Sequence, residues 1–211
     1  MIPLLFASSA AVLAVTDWVG VTHNDMRLRW IGKPGTVVAL ICAALLAHHP
    51  PTDVRLWIVL GLALSLAGDV FLLLSDEKWF TPGLAAFLLA HLAYIVAMAH
   101  LHLTRSLFGV ALIVLALGIG TVGVRVIVGA SRTNKSLQIP VLVYVCVIST
   151  MVAFAVATES PWLIAAAVLF YGSDLMLGWD RFVEAREFSG LAVMVTYHLA
   201  QAGFVVFLLT R

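Results

Sequence analysis

Residues 62–74 read LALSLAGDVFLLL, and residues 165–178 read AAAVLFYGSDLMLG. Each stretch carries one carboxylate, Asp69 or Asp174, directly after a small residue, Gly68 or Ser173. Each lies in a hydrophobic run long enough to cross a bilayer. A charged side chain in hydrocarbon costs at least about 2.5–3.5 kcal/mol, and those that persist there face a bundle interior and mark functional sites. Whether these runs are membrane spans therefore decides both the fold and the place to look for chemistry.

Composition answers the first point. Of 211 residues, 63% are apolar and 11% charged, and the mean hydropathy is +1.08. Soluble domains carry about 25% charged residues. Twelve basic and eleven acidic side chains are too few to cover a globule of this size, so the chain is expected to be an integral membrane protein. A net charge of +1 without a basic run gives no footprint for nucleic acid. Cys42 and Cys146 fall inside apolar spans and fit free thiols better than a disulfide or a metal site. The first 18 residues, MIPLLFASSAAVLAVTDW, lack a basic leader and are expected to form a retained first span.

Eight spans fit the pattern, at about 3–22, 34–48, 55–75, 80–101, 106–127, 138–157, 161–179 and 190–210. The fold expected is an all-α polytopic bundle of eight transmembrane helices, a single domain over residues 1–211. Breaks come at Lys33-Pro34-Gly35, His49-Pro50-Pro51, Asp76-Glu77-Lys78, Arg105, residues 131–136, Glu159-Ser160-Pro161 and residues 180–189. All six tryptophans fall at or near span ends, as an interfacial belt requires. Nine basic residues (Arg27, Arg29, Lys33, Lys78, Arg125, Arg132, Lys135, Arg181, Arg186) lie on one face, against Arg55, Arg105 and Arg211 on the other. The positive-inside rule makes the richer face cytoplasmic and puts both termini outside, in a bacterial plasma membrane.

An internal repeat is visible. Gly83-Leu84-Ala85 leads to His91-Leu92-Ala93-Tyr94, and Gly190-Leu191-Ala192 leads to His198-Leu199-Ala200-Gln201, with eight residues from Gly to His in both copies. Asp69 precedes the first glycine by 14 residues and Asp174 the second by 16. The shared histidine and acidic context favour duplication over chance, giving a parallel 4+4 arrangement.

At 1.5 Å per residue, Asp69, Asp174, Asp17, Lys33, Tyr144 and Tyr197 fall in the cytoplasmic half, while His91, His198 and Gln201 lie nearer the midplane. One cavity open to the cytoplasmic leaflet and floored by His and Gln would satisfy them all. Each residue also has a plainer reading. The aspartates fit structural interhelical bonds, one of them with Lys33; Lys33 fits a snorkelling anchor. His91 and His198 fit helix–helix glue, Tyr94, Tyr144 and Tyr197 fit packing, and Ser65, Ser149 and Ser173 fit close helix approach. His48, His49, His100 and His102, at span ends, fit solvated side chains. Nucleophile-elbow, zinc-helix, phosphate-loop and dinucleotide motifs are all missing from the sequence.

The chain resembles the YhhN-type lysoplasmalogenase family of small membrane proteins. The residues that carry the resemblance are Lys33-Pro34, Gly68-Asp69, Phe87 to His91 with Tyr94, then Pro140, Tyr144 and Met151, Leu169-Phe170 with Ser173-Asp174, and Tyr197 to Gln201. It covers the chain from about residue 33 onward; Asp17 and His198 enter on depth alone. The resemblance implies hydrolysis of the vinyl ether bond of a lysophospholipid drawn from the membrane leaflet, releasing a fatty aldehyde and glycerophospho-ethanolamine or -choline. Asp69 and Asp174 suit that reaction as a catalytic pair. In a poorly solvated cavity two neighbouring carboxyls carry charge unequally, so a neutral acid can protonate the alkene carbon while a carboxylate stabilises the cation and activates water. Which is which is left open by the sequence. Lys33, with cytoplasmic-loop arginines, suits the phosphate; His91, Tyr197 and Gln201 suit orientation of water or the carboxylates. No cofactor and no metal are expected. A proton-coupled transporter or lipid-binding protein, using the buried acids as a pathway, and a metal-dependent intramembrane lipid hydrolase built on His and Asp are the alternatives.

Overall fold

In a computed structural model, the chain is described over residues 2–47, 51–74, 76–187 and 189–210, with the backbone alone at Leu117 and Ile119. His48, His49, Ser75 and Arg211, with the expected ends of spans two and three, lie outside the described residues. The helices are α1 (Ile2–Thr22), α2 (Met26–Leu45), α3 (Thr52–Leu73), α4 (Phe80–Ala99), α5 (Arg105–Gly118), α6 (Val124–Thr133), α7 (Gln138–Ala157), α8 (Pro161–Phe182) and α9 (Ser189–Leu209). A π-helical turn, Ile119–Gly123, joins α5 to α6, so eight helical rods are long and apolar enough to cross a membrane. Their outer faces present bare aliphatic side chains, such as Leu5 at 66%, Val12 at 68% and Ile139 at 71% exposure. In water such a surface would aggregate; against lipid tails it is the expected covering. The protein is an all-α integral membrane bundle.

Two expected boundaries are corrected. Span two starts at Met26 rather than residue 34, because Asp25 caps it, accepting from Arg27 N (2.8 Å) and Leu28 N (3.4 Å). Pro34 is thus inside the helix, where its ring removes one backbone donor; membrane helices tolerate this when neighbours take up the freed groups. Span five runs to Thr133 rather than 127. Val126, Ile127 and Ala130 pack with Val141 into a small second core and carry the rod onward, until Asn134, extended at φ −154°, stops it. Between α3 and α4, exposed Asp76 caps a short turn. Its hydrogen bonds from the Lys78 side chain (2.7 Å) and backbone hold its carboxyl below the usual carboxylate range.

The closest helix pairs are α1 with α2, α3 with α4, and α8 with α9. The first hairpin turns through Asn24, whose left-handed φ of 53° suits the short amide side chain. It closes onto Gly32, where an added Cβ would strike the Asp17 backbone, its Cα being 2.7 Å away. That contact sets how deep the following residue, Lys33, sits in the bundle. The core between hairpins is aromatic, with Tyr94, Phe170, Phe204 and Phe207 all fully buried.

This crossing yields a prediction. Gly32→Ala forces two backbones apart and should cost about 1–3 kcal/mol, read as a lower thermal unfolding midpoint in detergent. Gly35→Ala meets only the mobile end of Leu13, at 3.3 Å, and should be neutral or stabilising. Equal effects of the two substitutions would refute this account.

Candidate active site

Asp69 is carried by α3 and is wholly buried, at 0% exposure. Lys33 of α2 brings its Nζ to 3.1 Å from Oδ1, and the Tyr197 hydroxyl of α9 donates to Oδ2 at 2.6 Å. The Lys33 ammonium also lies 5.9 Å from the Tyr197 ring centre. Three helices thus converge on one carboxylate. The residue before it, Gly68, lets α3 approach α4 so closely that an added Cβ would lie 2.6 Å from the Phe87 ring.

Asp174 of α8 has different company. The Tyr144 hydroxyl of α7 donates to its Oδ2, and His91 Nε2 of α4 stands 3.7 Å from the same oxygen. Among the described residues no lysine or arginine forms an ion pair with it. His91 is fully buried, edge-on to Phe170 at 4.6 Å and to Tyr144 at 5.3 Å. One carboxyl therefore sits between a phenol and an ammonium, the other between a phenol and an imidazole in an aromatic cage. Asp174 keeps 12% of its side chain accessible.

Both carboxyls line one cavity of about 290 Å³, together with Arg29, Lys33, Asp180 and Tyr197. A smaller, mainly apolar cleft of about 70 Å³ adjoins it. The two share Leu72, Phe87, Leu177 and Asp174, and the cleft continues past Leu84, Val126, Val141, Val145 and Phe182. Asp174 stands where the polar cavity and the apolar cleft meet, a boundary suited to an amphiphile.

The other expected site residues do not join this cavity as a floor of His and Gln. Tyr94 donates to Gln201 Oε1 at 2.6 Å and stacks on Phe204 at 4.1 Å. His198 Nδ1 accepts from Trp18 Nε1 at 3.0 Å. Asp17, buried, lies 3.7 Å from Arg29 Nε. Buried polar groups in lipid take the nearest partner on a neighbouring helix, so these residues are met in local pairs. His91 and His198 face different partners, and no group of three or more His, Cys, Asp or Glu side chains converges among the described residues. His100 and His102 are exposed, in line with their solvated reading. Sequence reasoning passed over Arg29 and Asp180 as individual site residues. The missed signal for Arg29 was the Asp25 cap: with α2 begun at Met26, Arg29 and Lys33 are one turn apart on the same face.

With this geometry in view, comparison with known proteins is informative. The YhhN family model matches residues 28–208, a stretch that holds Arg29, Lys33, both cavity carboxyls, Tyr144 and Tyr197 but not Asp17 or Trp18. A Mycobacterium tuberculosis protein named lysoplasmalogenase is 35% identical over 175 residues, 80% of this chain and 66% of its own length. Its Mycobacterium bovis counterpart matches to the same extent. Human lysoplasmalogenase TMEM86B is 31% identical over 143 residues, 67% of this chain and 58% of its own. The chain thus spans 58% to 66% of the length of these relatives. No solved structure matches. On the extent of the family match, the chain belongs to the YhhN family.

Proposed function

We propose that this protein is a membrane-embedded hydrolase that cleaves the vinyl ether bond of lysoplasmalogens. The observation that carries the reading is the pair of carboxyls in unlike surroundings on one cavity, at its junction with an apolar cleft. The names of the relatives point the same way. The charge-bearing glycerophosphate end occupies the polar cavity, the alkenyl chain lies along the apolar cleft, and the enol ether falls at Asp174. The cavity is lined by Val21, Arg29, Asp180 and Gly190, next to the α1–α2 and α8–α9 turns; these lie on the face richer in Lys and Arg, the cytoplasmic one by the positive-inside rule, so substrate enters laterally from that leaflet.

The unlike surroundings support a division of roles. Lys33, 3.1 Å from Asp69, supplies the countercharge that favours an ionised carboxylate there. A second negative charge nearby is disfavoured, and Asp174 has no such cation, so Asp174 holds the proton. Its O–H protonates the vinyl carbon remote from oxygen; the double-bond pair forms the new C–H bond and leaves an oxocarbenium ion. The Asp69 carboxylate stabilises that cation. Water adds to the carbon bearing oxygen, returning a proton to Asp174. The hemiacetal collapses as its hydroxyl proton passes to the glycerol oxygen, breaking the C–O bond to give fatty aldehyde and glycerophospho-ethanolamine or -choline. Tyr144 fixes the rotamer of Asp174, with His91 packed beside it at 3.7 Å, and Tyr197 fixes that of Asp69; these are positioning residues.

Asp69→Asn and Asp174→Asn should each lower aldehyde release from lysoplasmalogen by about 100-fold or more while the protein elutes as a folded species. Near-normal turnover in either would sink the two-carboxyl mechanism. Lys33→Met leaves a buried charge without its partner and should destabilise by about 3–5 kcal/mol. The double variant Lys33→Met/Asp69→Asn should recover thermal stability yet stay inactive. Recovery of activity along with stability would show the pair to be structural only.

A further inference from the structure

Two charged groups on the cavity have no part in the bond-breaking steps. Arg29 lies four residues before Lys33 on α2, and Asp180 six residues after Asp174 on α8; both line the same cavity as the carboxyls. Arg29 is 26% exposed, with its Nε 3.7 Å from buried Asp17. Among the described residues neither that Nε nor either Asp17 carboxylate oxygen has a hydrogen-bond partner, so the guanidinium is charge-balanced without its Nε donor being used up. Other cations near the cavities are already engaged: Lys33 with Asp69 and Arg181 with Glu77 at 3.2 Å. Asp180, half-buried, has no ion-pair partner among the described residues.

Both groups lie on the same side of the reacting carboxyls. The α1–α2 and α8–α9 turns are an even number of spans apart and open on one side of the bundle. Going from Lys33 to Arg29 and from Asp174 to Asp180 therefore leads toward the same face, by about 6 Å and about 9 Å at 1.5 Å per residue. Outward from the reacting carboxyls, the wall thus presents a positive and a negative group that form no ion pair with each other. An alkenyl lysolipid carries the complementary pair beyond its enol ether, a phosphate and an ammonium.

We propose that Arg29 and Asp180 form a head-group site for a zwitterionic phosphate ester, the guanidinium fork taking the phosphate and the carboxylate taking the ammonium. This rests on the hydrolase reading and adds to it the residues that hold the head group and make the site discriminate an amine-bearing phosphodiester from a bare phosphate monoester. An unpaired carboxylate repels a doubly charged phosphate that brings no amine, so Asp180 selects by repulsion as well as by attraction.

The test uses the full-length protein and three alkenyl lysolipids, bearing phosphoethanolamine, phosphocholine or phosphate alone. Wild type should favour the two amine-bearing substrates in kcat/KM by about tenfold, the size of one charge-assisted contact. Asp180→Asn should erase that preference, lowering the amine-bearing substrates and sparing or raising the bare phosphate, whose retained turnover shows that the variant folds. Arg29→Gln should raise KM for all three, with partial rescue by Arg29→Lys. An Asp180→Asn protein that keeps the wild-type preference, or loses all three substrates alike, overturns the proposal. If wild type releases no aldehyde from any of them, the hydrolase reading fails, and thermal shift decides the head-group site by itself. Lysophosphatidylethanolamine should then stabilise wild type more than lysophosphatidic acid does, with the difference lost in Asp180→Asn; equal shifts in wild type overturn it.

Discussion

The ion pair between Lys33 and Asp69, closed by the Tyr197 hydroxyl, is the constraint on which the rest of the arrangement depends. Two charges removed from water lose several kcal/mol each in solvation, and they regain it only through close approach and added hydrogen bonds. Close approach here demands that α2, α3 and α9 meet at one depth. The demand is met by Gly32, which lets α1 and α2 touch backbone to backbone, and by a helix that continues through Pro34 instead of starting there. Once α2 is seated, Arg29 one turn away is carried to the cavity wall and the buried Asp17 falls beside it.

Asp174 takes its character from contrast with this pair. It shares the cavity with Asp69 but has a phenol and an imidazole for neighbours, and the cage of Phe170 and Tyr144 keeps His91 away from water. Such a carboxyl is suited to hold a proton beside one that is suited to hold a charge. In the proposed reaction, its place where the apolar cleft begins brings that proton to the alkene. In the proposed function, a substrate with one charged end and one hydrocarbon end would fit the two compartments in only one direction.

Polar residues away from the cavity show how a bilayer enforces pairing. Tyr94 and Gln201 stand three residues after the two repeated histidines and bond to each other; His198 is met by Trp18 across the α1–α9 contact. None of these groups has water to fall back on, so each binds where a neighbouring helix offers a partner. The crossed connections have the same cause: Tyr197 of the α8–α9 hairpin serves Asp69 of the α3–α4 hairpin, while His91 of α4 approaches Asp174 of α8.

Composition and hydrophobic length alone determined that the chain crosses a membrane in eight helices, because apolar surface on this scale has no alternative solvent. They also marked Asp69 and Asp174, since an ionisable group within such a run is conspicuous against its background. The sequence concealed the start of α2, because a Lys-Pro-Gly triplet looks like a break unless the Asp25 cap upstream is given its weight. It concealed the partners as well. Lys33 reads equally as an anchor at the surface or as a buried countercharge, and Arg29 reads as one more cytoplasmic arginine. Only the tertiary structure decided between those readings, because a partner across helices depends on crossing angle, rotation and depth. These are set by close contacts such as Gly32 on Asp17, and by the need of each buried polar group for a bond, neither of which is written along a single helix.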